Sequence, residues 1–107
     1  MSFVALDLSL ELVRTLAPLC ARLARHDPKL VDQLRRAATS IANNVAEGAG
    51  RVGRDRRHLA RVAYASAAEV AASLQVAVAW GYVTDSDIAL ALAKVDRVRT
   101  LTWGLAR

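Results

Sequence analysis

The sequence predicts an all-α protein: an up-down-up-down four-helix bundle in one domain spanning residues 1–107, assembled as a homo-oligomer. Three observations carry that expectation. Apolar residues recur at three- and four-residue steps along four segments, with no strand-like alternation between them. Hydrophobic residues make up 54% of the chain and aromatics only 5%, so the apolar mass is Ala, Leu and Val. Ala and Leu are the strongest helix formers, and Ala lets helices approach closely. The breaks near residues 26–28, 49–54 and 81–84 are short, as connections between antiparallel bundle neighbours are.

Helix 1 is expected over Val4–Arg25. Leu6, Leu10, Val13, Ala17, Cys20 and Ala24 form one stripe, and Leu8, Leu12, Leu16, Leu19 and Leu23 form a second beside it. Pro18 lies inside the pattern and predicts a kink or a split, because it removes one backbone donor. Asp27-Pro28 opens helix 2 as an N-cap followed by a residue preset for the first helical turn. Leu30, Leu34, Ala37, Ile41 and Val45 are its core stripe, and Gly48 and Gly50 are expected to stop it in left-handed conformations. Helix 3 is placed from Gly53–Asp55 to Trp80, with Asp55 as its cap and Leu59, Val62, Ser66, Val70, Leu74 and Ala77 facing inward. Gly81 ends it. Thr84 and Asp87 form a capping-box pattern for helix 4, which runs to Leu105 with Ile88, Ala91, Val95, Val98 and Leu105 inward.

Two leucine stripes on helix 1, and Glu69 as the sole charge between Val62 and Val83, leave more apolar surface than one small bundle covers. Such surface asks for a partner copy, and a monomer with an apolar skin is the alternative. One cysteine, Cys20, excludes an internal disulfide or a cysteine metal site. The opening residues carry Asp7 and Glu11 within their apolar run, so no signal peptide is read there. The longest uncharged apolar stretch, Val70–Thr84, is too short to span a bilayer. A cytoplasmic protein without a membrane partner is expected.

Charge is concentrated. Residues 1–50 hold six Lys/Arg and five Asp/Glu, hence +1, and residues 62–107 hold four of each. The segment 51–61 sets Arg51, Arg54, Arg56, Arg57 and Arg61 against Asp55 alone, hence +4. On a helix starting near residue 54, Arg54, Arg57 and Arg61 share a face with His58 beside them. Arg56 points elsewhere, and Arg51 lies in the turn. Five arginines and no lysine favour bidentate contacts to phosphate. Cations near a helix N-terminus also oppose its dipole, so an anion is expected to offset them. Nucleic acid, an acidic protein, lipid headgroups and a merely solvated helix end are the readings open here, nucleic acid first. GAGRVG at 48–53 spells the dinucleotide fingerprint, but it follows a helix and not a strand, so it reads as helix stop and turn.

A polar stripe on helix 2, Gln33, Arg36, Ser40, Asn43, Asn44 and Glu47, faces Ser66, Glu69 and Ser73 on helix 3. It reads as a hydrogen-bonded polar layer that fixes register, or as a site inside the bundle. Chemistry has little to stand on. His26 and His58 make no ligand pair with each other or with Glu11, Glu47 or Glu69, so no metal and no cofactor are expected. Trp80, Tyr82 and Trp103 read as packing anchors at helix ends, not as base-stacking platforms. No enzyme is expected.

DQLRRAATSIANNVAEGAGR resembles the signature of the bacterial four-helix-bundle proteins encoded in intervening sequences of 23S rRNA genes, a family that includes the accessory protein of diversity-generating retroelements. The matching positions are Gln33, Arg35, Arg36, Ser40, Ile41, Asn44, Ala46, Glu47, Gly48, Gly50 and Arg51. YASAAEV is similar to the family's Gly-Ser-x-x-Glu at Ser66 and Glu69, with Ala65 in place of the glycine, and WGYV resembles the turn into the last helix. The likeness covers Leu6 to Leu105; Pro18 departs from it. It implies a ring-like homopentamer. For the retroelement branch it also implies a basic surface that binds nucleic acid and a reverse transcriptase. It supplies no catalytic residues, and the motifs leave both branches open. The function expected is therefore oligomeric binding of an RNA or DNA backbone, RNA first, through the arginine patch. The alternative is a protein-interaction scaffold, for example for a reverse transcriptase.

Overall fold

The computed structural model describes residues 3–107, and every regular element among them is a helix: α1 (Phe3–Leu23), α2 (Pro28–Ala49), α3 (Gly53–Ala79) and α4 (Asp85–Ala106). Each helix packs on its neighbours in sequence, and α1 closes the ring of four against α4. The short connections make successive helices antiparallel, in a bundle 43 × 22 × 19 Å.

The capping residues act largely as their types dictate. Asp27 Oδ1 accepts the Leu30 N–H at 3.1 Å and starts α2. Thr84 accepts the Asp87 N–H at 3.2 Å while Asp87 accepts the Thr84 N–H at 2.9 Å, completing the capping box of α4. Gly81 (φ 81°) supplies the left-handed residue that ends α3. The Tyr82 N–H bonds the Ala77 carbonyl and the Gly81 N–H bonds that of Val78, the paired closure of a Schellman motif.

Three expectations about breaks are corrected. Gly48 stays inside α2, and Gly50 ends the helix at φ −90° without left-handed backbone. Bonds from Gly50 N–H to Glu47 and from Arg51 N–H to Gly48 tighten the last turn instead. The left-handed glycine of this connection is Gly53 (φ 60°). Asp55 does not cap α3: Val52 holds the cap position and offers no side-chain acceptor, and Asp55 sits in the first turn. Pro18 does not split α1, which runs unbroken to Leu23. Pro18 lies on the exposed side, where the Arg14 carbonyl that loses its donor has water at hand.

A continuous apolar cluster draws on all four helices. From α1 it takes Leu8, Leu12, Leu16, Leu19 and Leu23. The other stripe of α1 keeps only Cys20 buried and leaves Leu10, Val13, Ala17 and Ala24 exposed. From α2 it takes the expected stripe with Val31 and Ala38 added. The phase of α3 differs from expectation. Leu59 and Val62 are half-buried, and the core face is Ala60, Ala63, Ser66, Ala67, Val70, Ser73, Leu74 and Ala77. In α4, Thr102 and Ala106 turn inward while Leu105 is half-buried. Thr102 is tolerated there because its hydroxyl donates to the Val98 carbonyl at 2.8 Å, as Ser9 in α1 donates to Ala5 at 2.7 Å. By length and composition α3 is apolar enough to cross a bilayer, but here it is a core helix packed between α2 and α4.

Polar ties lock one end of the bundle. Tyr82 stacks on His26 with centroids 5.0 Å apart, and its hydroxyl donates to Asp27 Oδ2 at 3.4 Å. Arg22 reaches Asp87 at 3.2 Å. The Thr84 backbone N–H, then Arg22, then the Thr84 hydroxyl stabilise the charged Asp87 carboxylate and lower its pKa from 3.8 to about 2. A group depressed on folding contributes stability that is present above its unfolded pKa and lost as pH falls through its folded one. Denaturant melts should therefore show stability dropping between pH 4 and about 2. Asp87→Asn should flatten that decline, and an equal decline in the variant would remove Asp87 as its source.

Candidate functional site

The arginine segment sits where α2 ends and α3 begins. Arg51 in the turn is committed locally, 3.3 Å from Glu47 on α2 and 3.8 Å from Asp55 on α3. All three groups are well exposed, so the pairs add little stability, but they hold the turn in one geometry. Beyond the turn, Arg54, Arg57 and Arg61 emerge at three- and four-residue steps along one side of α3, all exposed. Arg61 is also engaged: its Nη1 donates to the Ala106 carbonyl at the C-terminus of α4, at 3.2 Å. Arg54 and Arg57 make no hydrogen bond or ion pair among the described residues. Arg56 is half-buried and His58 exposed. The segment thus divides into a turn staple, Arg51; a bridge to α4, Arg61; the half-buried Arg56; and two exposed, unpartnered cations, Arg54 and Arg57, at the start of a helix that no side chain caps.

One turn past Arg61 the same side of α3 carries Tyr64. Trp103 of α4 packs on it, with ring centroids 5.4 Å apart and planes tilted by 48°. Arg99 of α4 lies over the Tyr64 ring, 5.1 Å from its centroid, and donates from Nη2 to the Tyr64 hydroxyl at 3.1 Å. Trp103 is nevertheless 54% exposed, and Trp80 69%, so neither indole is the packing anchor expected of it. The cluster escaped the sequence reading because its members come from two helices. Tyr64 standing three residues beyond Arg61 was the available signal.

The polar stripe of α2 separates into a core and a surface. Ser40 Oγ and Ser66 Oγ are 2.9 Å apart across α2 and α3, and Asn44 Nδ2 donates to the Ser40 carbonyl at 2.8 Å and to its Oγ at 3.1 Å. Ser73 is buried further along α3. Gln33, Arg36, Glu47 and Glu69 are exposed and do not join this layer. Arg35, Arg36 and Asn43 flank a shallow depression over Ser40 and Asn44.

An apolar groove of about 410 Å³ runs between α1 and α2, walled by Val13, Ala17 and Cys20 from α1, by Ala24 just beyond it, and by Val31 and Ala38 from α2. Burial pushes the Cys20 thiol up, against a smaller lowering by Arg35. No group of three or more His, Cys, Asp or Glu among the described residues is placed to hold a metal ion. Gly48 of the GAGRVG motif lies within α2, and no strand precedes it, so the motif has no dinucleotide-binding context.

The chain matches the family of 23S rRNA-intervening sequence proteins over residues 3–104, and it belongs to that family. Among solved structures it is similar to a protein of unknown function from the S23 ribosomal protein family of Bacteroides thetaiotaomicron VPI-5482. The two share 22% identity over 96% of this chain and 98% of the other, with a TM-score of 0.85, which establishes a common fold. No curated protein matches.

Among the described residues the Ser40–Ser66 contact is the one direct side-chain hydrogen bond between α2 and α3, so it should couple the two positions. Denaturant melts of Ser40→Ala, Ser66→Ala and the double variant are expected to give a coupling energy of about 0.5–1.5 kcal/mol. Strictly additive losses would show that the contact contributes nothing to pairing the helices.

Proposed function

We propose that this chain is a non-enzymatic, oligomeric nucleic-acid-binding protein that grips phosphates through the arginine face at the start of α3. The observation that carries the reading is the pair Arg54 and Arg57: exposed, on one side of α3, and unpartnered, while the other charges of the turn are paired with each other. A guanidinium presents a planar fork of donors that suits phosphate oxygens. The uncapped N–H groups of the first turn of α3 add donors in the same place. RNA is favoured over DNA because the family takes its description from intervening sequences of 23S rRNA.

The assembly proposed is a ring-like homo-oligomer, five copies by the resemblance read from the central motif. Its support in the molecule is the outer stripe of α1. Leu10 and Val13 stay exposed, with Val13 on the wall of the α1–α2 groove. A ring would repeat the arginine face in every subunit, and modest single contacts would then sum by multivalency.

Binding to a labelled RNA oligomer should weaken steeply with salt, because phosphate contacts release counterions. Arg54→Ala/Arg57→Ala, which spares the Arg61 bridge, should lower the slope of log K against log salt by about 1–2 units. An unchanged slope and affinity would falsify the assignment. If nuclease treatment leaves a partner attached on co-purification, the arginines dock an acidic protein such as a polymerase subunit instead.

Light scattering should report several times the 11.5 kDa mass of one chain. Val13→Glu/Ala17→Glu should shift the particle toward monomer, since it sets charges into the apolar stripe without touching the core. A wild-type monomer would sink the ring.

A further inference from the structure

We infer that the Tyr64–Arg99–Trp103 cluster is a stacking platform for an unpaired nucleobase, which makes the ligand of the arginine face a single strand and not a duplex. This rests on the nucleic-acid reading of Arg54 and Arg57 and extends it to a site made of other residues.

Continuity places the cluster in the path of a bound strand. Arg54, Arg57, Arg61 and Tyr64 follow one another at three- and four-residue steps on one side of α3, about 15 Å from first to last at 1.5 Å per residue. Two contacts one turn apart join that side to α4: Arg61 to the Ala106 carbonyl, and Tyr64 to Trp103, itself one turn before Ala106. Cationic and aromatic groups therefore lie along one seam between α3 and α4. A single strand needs that pairing, with charge tracking the backbone and ring faces taking the bases.

The platform is also rigid. Arg99 is held on the Tyr64 ring and bonded to its hydroxyl, and Trp103 rests against the same ring. These ties order three side chains in advance, so little conformational freedom remains to be lost when a base arrives. Yet Trp103 keeps half its surface in water, and a shallow pocket opens beside it, lined by Tyr64, Asp96, Arg99, Thr100 and Trp103. A large aromatic surface that is fixed in place, left uncovered and set beside the Arg99 guanidinium, with Asp96 at the pocket's edge, offers an unpaired base a ring face to stack on. A base inside a duplex has both faces already stacked and cannot use it.

Three probes of equal phosphate number separate the possibilities: a uridine 12-mer, an abasic ribose-phosphate 12-mer and a short RNA duplex. Trp103→Ala should weaken the uridine oligomer about tenfold, as loss of one stacked base does. Its affinities for the abasic strand and the duplex, and its salt slope, should match wild type, because no phosphate contact is removed. Trp103→Phe should keep most of the uridine affinity, which distinguishes lost stacking from lost structure. In Trp80→Phe, where Trp103 is the remaining indole, the uridine oligomer should quench fluorescence and the abasic strand should not. If Trp103→Ala binds the uridine oligomer as wild type does while Arg54→Ala/Arg57→Ala weakens all three probes, the platform is wrong and the phosphate reading stands. If wild type binds none of the three, both fall.

Discussion

The close approach of α2 and α3 is the constraint from which the rest of the structure follows. Apart from Val70 and Leu74, the buried face of α3 consists of alanine and serine, and α2 likewise buries the small Ala37 and the helical Gly48, which lie within about 80° of Ser40 around α2, the residue that meets Ser66 of α3. Small side chains let two backbones come near, and dense packing then rewards the approach through many short contacts. The cost falls on the larger apolar residues. With alanine on the inside of α3, Val76 and Trp80 are turned outward, and Leu59 and Val62 lie along the flanks. The apolar skin of this protein is thus the counterpart of its narrow core.

That trade also explains why the polar knot between these helices is so small. Where helix axes are close there is room for Ser40, Ser66 and the amide of Asn44, and for little more. Longer side chains of the same stripe, Gln33, Arg36 and Glu47 on α2 and Glu69 on α3, are left outside. Two hydroxyls and an amide lie within hydrogen-bond distance of one another, so this contact between α2 and α3 carries no orphaned hydroxyl. α1 sits differently. It lies against α2 and α4 with a leucine stripe inward and leaves Leu10, Val13 and Ala17 of a second apolar stripe uncovered.

The sequence made the helix count, three of the four helix starts and the inner stripes of α2 and most of α4 legible, because these rest on local chemistry. Asp27 before Pro28, the Thr84–Asp87 box and Gly81 are short-range signals that tertiary packing did not override. The phase of α3 was not legible. Alanine occurs at nearly every angle around that helix, so periodicity favours the larger Leu59 and Val62 although the interface selects the smaller Ala60 and Ala63. The fate of Gly48 and Gly50 was hidden for a related reason: a glycine permits left-handed backbone without requiring it, and Gly53 took that role. Of the candidate site, the crowding of arginines was plain from the chain. Their division of labour was not, since Arg51 and Arg61 are distinguished by partners on α2 and α4 and by nothing in their own segment.

That division concentrates the electrostatic strain. A helix N-terminus disfavours a cation by about 0.3–1 kcal/mol at an exposed site, and the effect fades beyond the first turn. Arg61 lies past that range on α3, and its guanidinium meets the C-terminus of α4, where the dipole favours a cation and the Ala106 carbonyl accepts its hydrogen bond. Arg51 sits between Glu47 and Asp55. Of the exposed arginines in this segment, Arg54 and Arg57 have neither remedy: they stand in and just beyond the first turn of α3, with no carboxylate within ion-pair distance and no acceptor from another helix among the described residues. A phosphate at this position relieves the repulsion between the two arginines and the dipole, and it also fills the free N–H groups that Val52 leaves uncapped. Within the segment, the nearby anions are engaged by Arg51 and the Ala106 carbonyl by Arg61, and Arg54 and Arg57 are left exposed without a counter-charge.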